Sequence, residues 1–273
     1  MKTEVKTNSK KKPKKNVKKK TTSTNKKVAQ KKQNTKKRKI VAILGLIILI
    51  GIMLALILFS SLFNIKTITV TNNSKVDATE IIQNSGLVVG NNMFKTLSSA
   101  SKSGIKTNPY IEDVRIIKKL NGEVIIEVTE RTATFMLQRE TDYAYINNQG
   151  YVLENSYTPL ELPIIKGYSS KELDPGNRID VDDLKKLDIV IQLMEAAKSN
   201  GIKELITTID ISDENNFILE IPSEGKTVQF GNGTNINVKI LWIVDLINRE
   251  KGIEGEIIVN VPDIKKVYFR EKV

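Results

Sequence analysis

The chain contains neither cysteine nor histidine. Zinc and copper sites, thiol nucleophiles and Ser-His pairs therefore lose their usual ligands and bases. Hydrolysis by a carboxylate pair is the remaining route. The acids, however, gather in runs such as DVDDLKKLD (180–188) and ISDEN (211–215), the pattern of a solvated face. FGNG at 230–233 lacks the third glycine and the Lys-Ser/Thr of a phosphate loop, so a hairpin turn is expected there. The arginines after residue 40, at 115, 131, 139, 178, 249 and 270, are scattered and suggest no phosphotransferase pocket. No catalytic, metal or cofactor-binding residue is expected, and the chain reads as a non-enzyme without a cofactor. The chemistry left is that of the backbone: many short strands imply an exposed sheet edge, which must be protected or used.

The elements ahead of those strands begin with a membrane signal. Ile40 to Phe59 is a run of twenty residues without charge or proline. At about 1.5 Å per residue it covers a hydrocarbon layer of about 30 Å. The run is too long, and lies too far from the start, for a cleaved secretory signal. KKRK at 36–39 keeps the N-terminus cytoplasmic, so a single-pass helix over 40–62 displays the C-terminal part outside. Residues 1–39 carry eighteen basic side chains against one acid, Glu4, whereas the remaining 234 carry twenty-five against thirty. The basic balance thus belongs to the tail, which reads as disordered. Its lysines could neutralise nucleic-acid phosphates or anionic lipid headgroups. Without aromatic residues or a folded module beside them, the lipid and topology reading is favoured, and no specific nucleic acid is expected.

IKTITVT (65–71) reads as a strand. DATEIIQNSG follows as a short helix with Asp77 as cap, Glu80 at the capping-box position and Gly86 as left-handed stop. A second helix is expected over MFKTLSSASKSG, with Phe94, Leu97 and Ile105 inward and Gly104 at its end. YIEDVRIIKKLNGEVIIEVTER (110–131) is two β-branched runs around Asn-Gly. A two-residue loop would set Ile116 against Glu127. A three-residue loop, Leu120-Asn121-Gly122 with Gly122 left-handed, instead sets Val114, Ile116 and Lys118 against Val128, Ile126 and Val124, and is the expected register. The order is β-α-α-β-β.

The rest reads as a mostly antiparallel sheet with two helices. One has Asp180 as cap, with Leu184, Leu187, Ile191 and Met194 at helical spacing and Gly201 as stop; the other carries Ile240, Ile243, Val244 and Ile247 and ends at Gly252. Trp242 fits either a partner hot spot or the packing of its own helix, and packing is favoured. Strands are expected at YAYIN, YVLEN, TTIDIS, FILEIP, TVQF, GEIIVNV and VYFRE.

FNIKTITVTNN, NPYIEDVRIIKKL and VIIEVTERTATFML behind one N-terminal anchor resemble the POTRA domain of the bacterial cell-division family FtsQ, called DivIB in Gram-positive bacteria. YAYINNQGYVLEN, LPIIKG, VQFGNGTNINVKILWIVDLIN, GEIIVNV and KVYFR resemble its second domain. The resemblance implies an α+β chain with a basic tail (1–39), a transmembrane helix (40–62), a POTRA domain (63–132) and a β domain (133–273). It implies a non-enzymatic divisome scaffold in the cytoplasmic membrane, at the septum. Its partners would be the coiled-coil division proteins FtsL and DivIC (FtsB in Gram-negatives) and the septal peptidoglycan synthase, whose assembly it would help regulate. Partner strands would bind near the last strands, at Glu256, Ile257, Ile258, Val259, Asn260 and Val261, and at Val267, Tyr268, Phe269 and Arg270. The competing reading is a closing edge protected by Lys265, Lys266, Arg270 and Lys272. The POTRA strands at 65–71 or 110–119 offer a second edge. A different class of function, a POTRA-containing translocation or sporulation channel, would form ring-shaped homo-oligomers.

Overall fold

The computed structural model describes residues 23–272, with side chains described from 37 to 272. It falls into two units divided after Ser60. In the first, helix α1 runs Ser23–Leu58 and is long and apolar enough from Lys37 to cross a membrane. Its apolar side chains are exposed on every side, as befits a helix whose solvent is lipid. It begins at Ser23, so the stretch from there to Lys39 is helical and not disordered. Lys and Gln are good helix formers, and extending an existing helix needs no new nucleus. The expectation for residues 1–22 lies outside the described residues.

The second unit opens with the β-α-α-β-β order expected: β1 (Thr67–Thr71), α2 (Ala78–Ser85), α3 (Ser98–Ile105), β2 (Ile111–Lys118) and β3 (Glu123–Glu130). The sheet order is β1-β3-β2, with β1 parallel and β2 antiparallel to β3. Val114, Ile116 and Lys118 stand opposite Val128, Ile126 and Val124, the register set by the three-residue loop. Gly122 has φ 95°, and a Cβ there would lie 2.8 Å from the Asn64 carbonyl oxygen. Lys118 tolerates the core face because its ammonium donates to the Thr96 carbonyl at 2.7 Å; burial lowers its pKa.

Asp77 caps α2 by accepting from the Thr79 amide, and Gly86 closes it at φ 65°. Glu80 accepts instead from the Asn108 side chain at 2.7 Å. Two expectations for α3 fail. Leu97 takes the extended N-cap position, so its side chain leaves the helix face and is exposed. Gly104 lies inside the helix, where a Cβ would collide with the Asn84 carbonyl as α3 crosses α2. Ile81, Leu87, Ile105, Val114, Val124 and Ile126 fill a core between helices and sheet.

The remaining residues form one nine-stranded sheet: β4 (Phe135–Gln138), β5 (Tyr143–Ile146), β6 (Val152–Ser156), β7 (Ile164–Lys166), β8 (Thr208–Asp210), β9 (Phe217–Ile221), β10 (Lys226–Gly231), β11 (Gly255–Ile258) and β12 (Tyr268–Glu271). The order is β12-β11-β10-β9-β8-β7-β4-β5-β6, with β10–β11, β4–β7 and β7–β8 parallel and the other pairs antiparallel. β4 and β7 are additions to the expected strands. FGNG is no hairpin turn: it leads from β10 into α5 (Ile236–Arg249), and a Cβ on Gly231 would press on Asn260. Helix α4 (Val181–Ser199) and α5 pack Leu187, Val190, Leu193, Ile240, Ile243 and Ile247 onto Ile209, Leu219, Val228 and Ile257. Leu184, Ile191, Val244 and Trp242 flank that core half-buried.

The acids at the start of α4 are not all solvated. Asp180 occupies the N-cap position without a side-chain cap bond, whereas Asp183 is fully buried. Its carboxylate accepts from the Ser170 amide (2.7 Å) and hydroxyl (2.5 Å), and from the Ser169 amide and hydroxyl at 2.9 to 3.1 Å. Burial works against the charge, but hydrogen bonds from Ser170 and then Ser169 outweigh it and hold the pKa below the usual aspartate value.

Candidate partner-binding edge

An antiparallel strand addition needs a terminal strand with free amides and carbonyls. At one end of the nine-stranded sheet the start of β6 is covered. The Val152 amide donates to the Asn177 carbonyl, the Gly176 amide donates to Val152, and the Asn155 side chain donates to Leu173. The small domain also docks there: the Tyr110 hydroxyl donates to Glu154 at 2.8 Å, Gln149 donates to Glu112 at 2.8 Å, and the Arg131 guanidinium lies 4.4 Å from the Tyr151 ring centroid.

The other end is β12. Among the described residues it pairs only with β11, Ile258 opposite Tyr268 through Gly255 opposite Glu271. The Lys272 amide donates to the Glu254 carbonyl at 2.9 Å. Antiparallel pairs alternate, so Glu256–Arg270 and Ile258–Tyr268 exchange the ladder bonds, and the main-chain groups of Phe269 and Glu271 face outward. On the other side of β11, Gly255 donates to Gly225 and Val259 donates to Gln229.

What seats β12 is mainly one ring. Phe269 is half-buried against the core, close over Gly255, where any Cβ would collide with the ring. The Lys226 ammonium lies 5.3 Å from the ring centroid, a cation–π distance. Lys226 is itself buried, donating to the carbonyls of Glu224 and Glu250 at 3.0 Å and to that of Ile253. It thereby joins the C-terminal end of α5 to the underside of the edge strand. On the opposite face Arg270 pairs with Glu256 at 3.1 Å, across a cleft of about 520 Å3 that also includes Thr227 and Glu220. A larger cleft, about 880 Å3, lies away from this edge between α4 and the 159–164 segment, lined by Leu160, Ile191 and Met194.

The ten sequence-marked positions therefore divide. Tyr268, Phe269 and Arg270 lie on the terminal strand, with Val267 half-buried just before it. Glu256, Ile257 and Ile258 lie on β11, whose main chain is engaged on both sides. Val259 is buried beyond that strand; the Asn260 side chain donates to Asn216 at 2.9 Å; Val261 starts the connection to β12. Lys226 and Gly255, which position the edge strand, were not marked. A lysine inside the alternating run KTVQF was the available signal. Both β1 and β2 are outer strands of their own three-stranded sheet.

Residues 63–131 match the model of the FtsQ-type POTRA domain. The chain is 31% identical to cell division protein DivIB of Clostridium acetobutylicum over 78% of its own length and 84% of the relative's. It is 28% identical to DivIB of Clostridium botulinum strain Loch Maree over 75% and 80% of the two lengths. The FtsQ cell division protein of Corynebacterium glutamicum is matched at 22% identity over 78% and 92%. With a POTRA domain following an apolar helix and a DivIB relative matched over 78% of the chain, the chain belongs to the DivIB/FtsQ family of cell-division proteins.

Proposed function

We propose that this division protein is a non-enzymatic scaffold. Helix α1 anchors it in the cytoplasmic membrane with the N-terminus inside, and residues 61–273 stand outside at the septum. There it captures FtsL-like and DivIC/FtsB-like coiled-coil proteins by adding a partner strand to β12, and so helps assemble and regulate septal peptidoglycan synthesis. The observation that carries this reading is the asymmetry of the sheet edges: on β6 the Val152 main chain is taken by the 173–178 segment and Glu154 by Tyr110, whereas among the described residues β12 leaves the main chain of Phe269 and Glu271 open. Main-chain pairing supplies affinity there, and side chains alternating along β12 supply selectivity.

Glu271→Pro tests it on the full chain in detergent with the external segments of both partners. Position 271 is exposed, and its amide points away from β11, a place where an edge strand tolerates proline. One main-chain bond to the incoming strand is lost, about 1.4 kcal/mol or about tenfold in affinity. Unchanged capture by a folded variant would refute strand addition at β12. A ring-sized homo-oligomer that binds neither partner would favour the channel reading.

A further inference from the structure

The POTRA domain carries a second surface at the end where the chain enters it. β1 and β3 start at this end and β2 finishes there, as the Thr67–Glu123 and Lys118–Val124 pairings require. Three loops converge on it. The 88–93 loop is tied to the entering chain by Gly90 amide to Ile65 carbonyl, Ile65 amide to Asn91 carbonyl and Met93 amide to Phe63 carbonyl, at 2.8 to 3.0 Å. The hairpin tip is tied by the Lys66 amide to the Gly122 carbonyl at 2.8 Å. The Thr96 carbonyl holds Lys118.

These loops turn apolar side chains into solvent. Leu62 and Leu120 are 72% exposed, Leu97 69%, Val89 57% and Val88 54%. Backbone bonds fix them at one end, so they are not scattered single residues, and a cluster of this kind marks a docking surface. The charge around them is one-sided: Lys66, Lys95, Lys118 and Lys119 against Glu123, which is already paired with Lys119 at 3.0 Å.

We infer that this end of the POTRA domain docks on the surface of an anionic bilayer, with the leucine and valine tips among the headgroups and the lysines on lipid phosphates. Two observations name the occupant. Only Phe59 and Ser60 separate the end of α1 from Ser61, so Leu62 lies within about 15 Å of Leu58 at full extension of about 3.6 Å per residue. Apolar tips ringed by lysine are also the composition that interfacial segments use. The inference rests on α1 spanning the bilayer.

The absence of native cysteine makes the test direct. Full-length protein with a single cysteine at Val89, Leu120, Leu49 or Asp213 is labelled with an environment-sensitive dye and reconstituted into vesicles of phosphatidylcholine and phosphatidylglycerol with brominated acyl chains. The Leu49 label reports whether α1 is in the bilayer, and Asp213 is an exposed control on the nine-stranded domain. Labels at 89 and 120 are expected to shift to the blue and to lose about half their emission to the bromolipid, as probes held about 5–10 Å into the headgroup boundary do. Lys95→Gln is expected to lower the docked-to-undocked ratio about fivefold, the equivalent of about 1 kcal/mol per lysine. A quenched Leu49 label with 89 and 120 responding only to an aqueous quencher overturns the docking. An unquenched Leu49 label overturns the membrane placement of α1 on which it rests. A blue shift seen only when other division proteins are added assigns the surface to protein and overturns the lipid.

Discussion

Replacing Phe269 by alanine should release β12 without unfolding the sheet behind it. The ring is half-buried, so the loss is about half that of a fully buried phenylalanine, near 1.5 kcal/mol. The contact with the Lys226 ammonium adds about 0.5–1 kcal/mol. Among the described residues β12 has no sheet partner besides β11, so a sum of about 2 kcal/mol acts directly on its detachment and raises the population of the open state about thirtyfold. Native-state hydrogen exchange reads this residue by residue. The amides of Glu256 and Ile258 face β12, whereas those of Gly255 and Val259 are bonded to Gly225 and Gln229. Faster exchange is therefore expected at 256 and 258, by about thirtyfold, with 255 and 259 unchanged. Equal acceleration at all four positions would mean a general loss of core stability and would refute the assignment of Phe269 as the seat of the strand. No acceleration at all would refute it equally.

Asp183→Asn should destabilise the full chain in detergent by about 3 kcal/mol at neutral pH, because the charge is lost and the amide nitrogen that replaces one carboxylate oxygen meets groups that donated to that oxygen in a buried site. Asp183 has a folded pKa below its unfolded value. Its contribution is thus complete above the unfolded value near 4 and is lost as pH falls through the lowered folded one, so the wild-type advantage in thermal unfolding shrinks below about pH 4. An advantage independent of pH would exclude the charge as its source. Tyr110→Phe removes the hydroxyl that donates to Glu154, and a loss of about 1 kcal/mol at the contact between the two folded domains is expected. Faster exchange around 150–154 checks it.

Local rules were legible where a single chain segment contains all the parties. The 110–131 hairpin announced its register because turn and facing residues lie within a few positions of one another. Asp77 and Gly86 announced a helix for the same reason. Expectations failed where a distant partner decides. Gly104 reads as a stop until Asn84 is placed against it, and Asp183 reads as a solvated acid until Ser169 and Ser170 are folded over it. The edge was legible only in part. A run of strands near the end of the chain suggests a terminal strand, but nothing local reveals that β11 inserts parallel to β10 and that β12 alone remains outermost. Six of the ten marked positions therefore sit one strand inward or in the connection beyond it.

The same topology explains why one edge is available and the other is not. A nine-stranded sheet has two ends, each a hazard of unwanted pairing if left bare. The contacts of the small domain, through Tyr110, Glu112 and Arg131, fall on β6 and on the turn before it, and the 173–178 segment takes the main chain there. β12 lies eight inter-strand spacings away, about 38 Å at about 4.8 Å per spacing. A strand added to β12 therefore competes with no contact between the domains, and strengthening or weakening that contact leaves the open edge unchanged. If a strand is added there as proposed, the exposed charges Lys265, Lys266 and Arg270, the last paired with Glu256 on β11, would select among incoming strands by sign, because a like charge opposite them would be repelled. Protection against indiscriminate pairing and selectivity for one partner would then be the same property of the same strand.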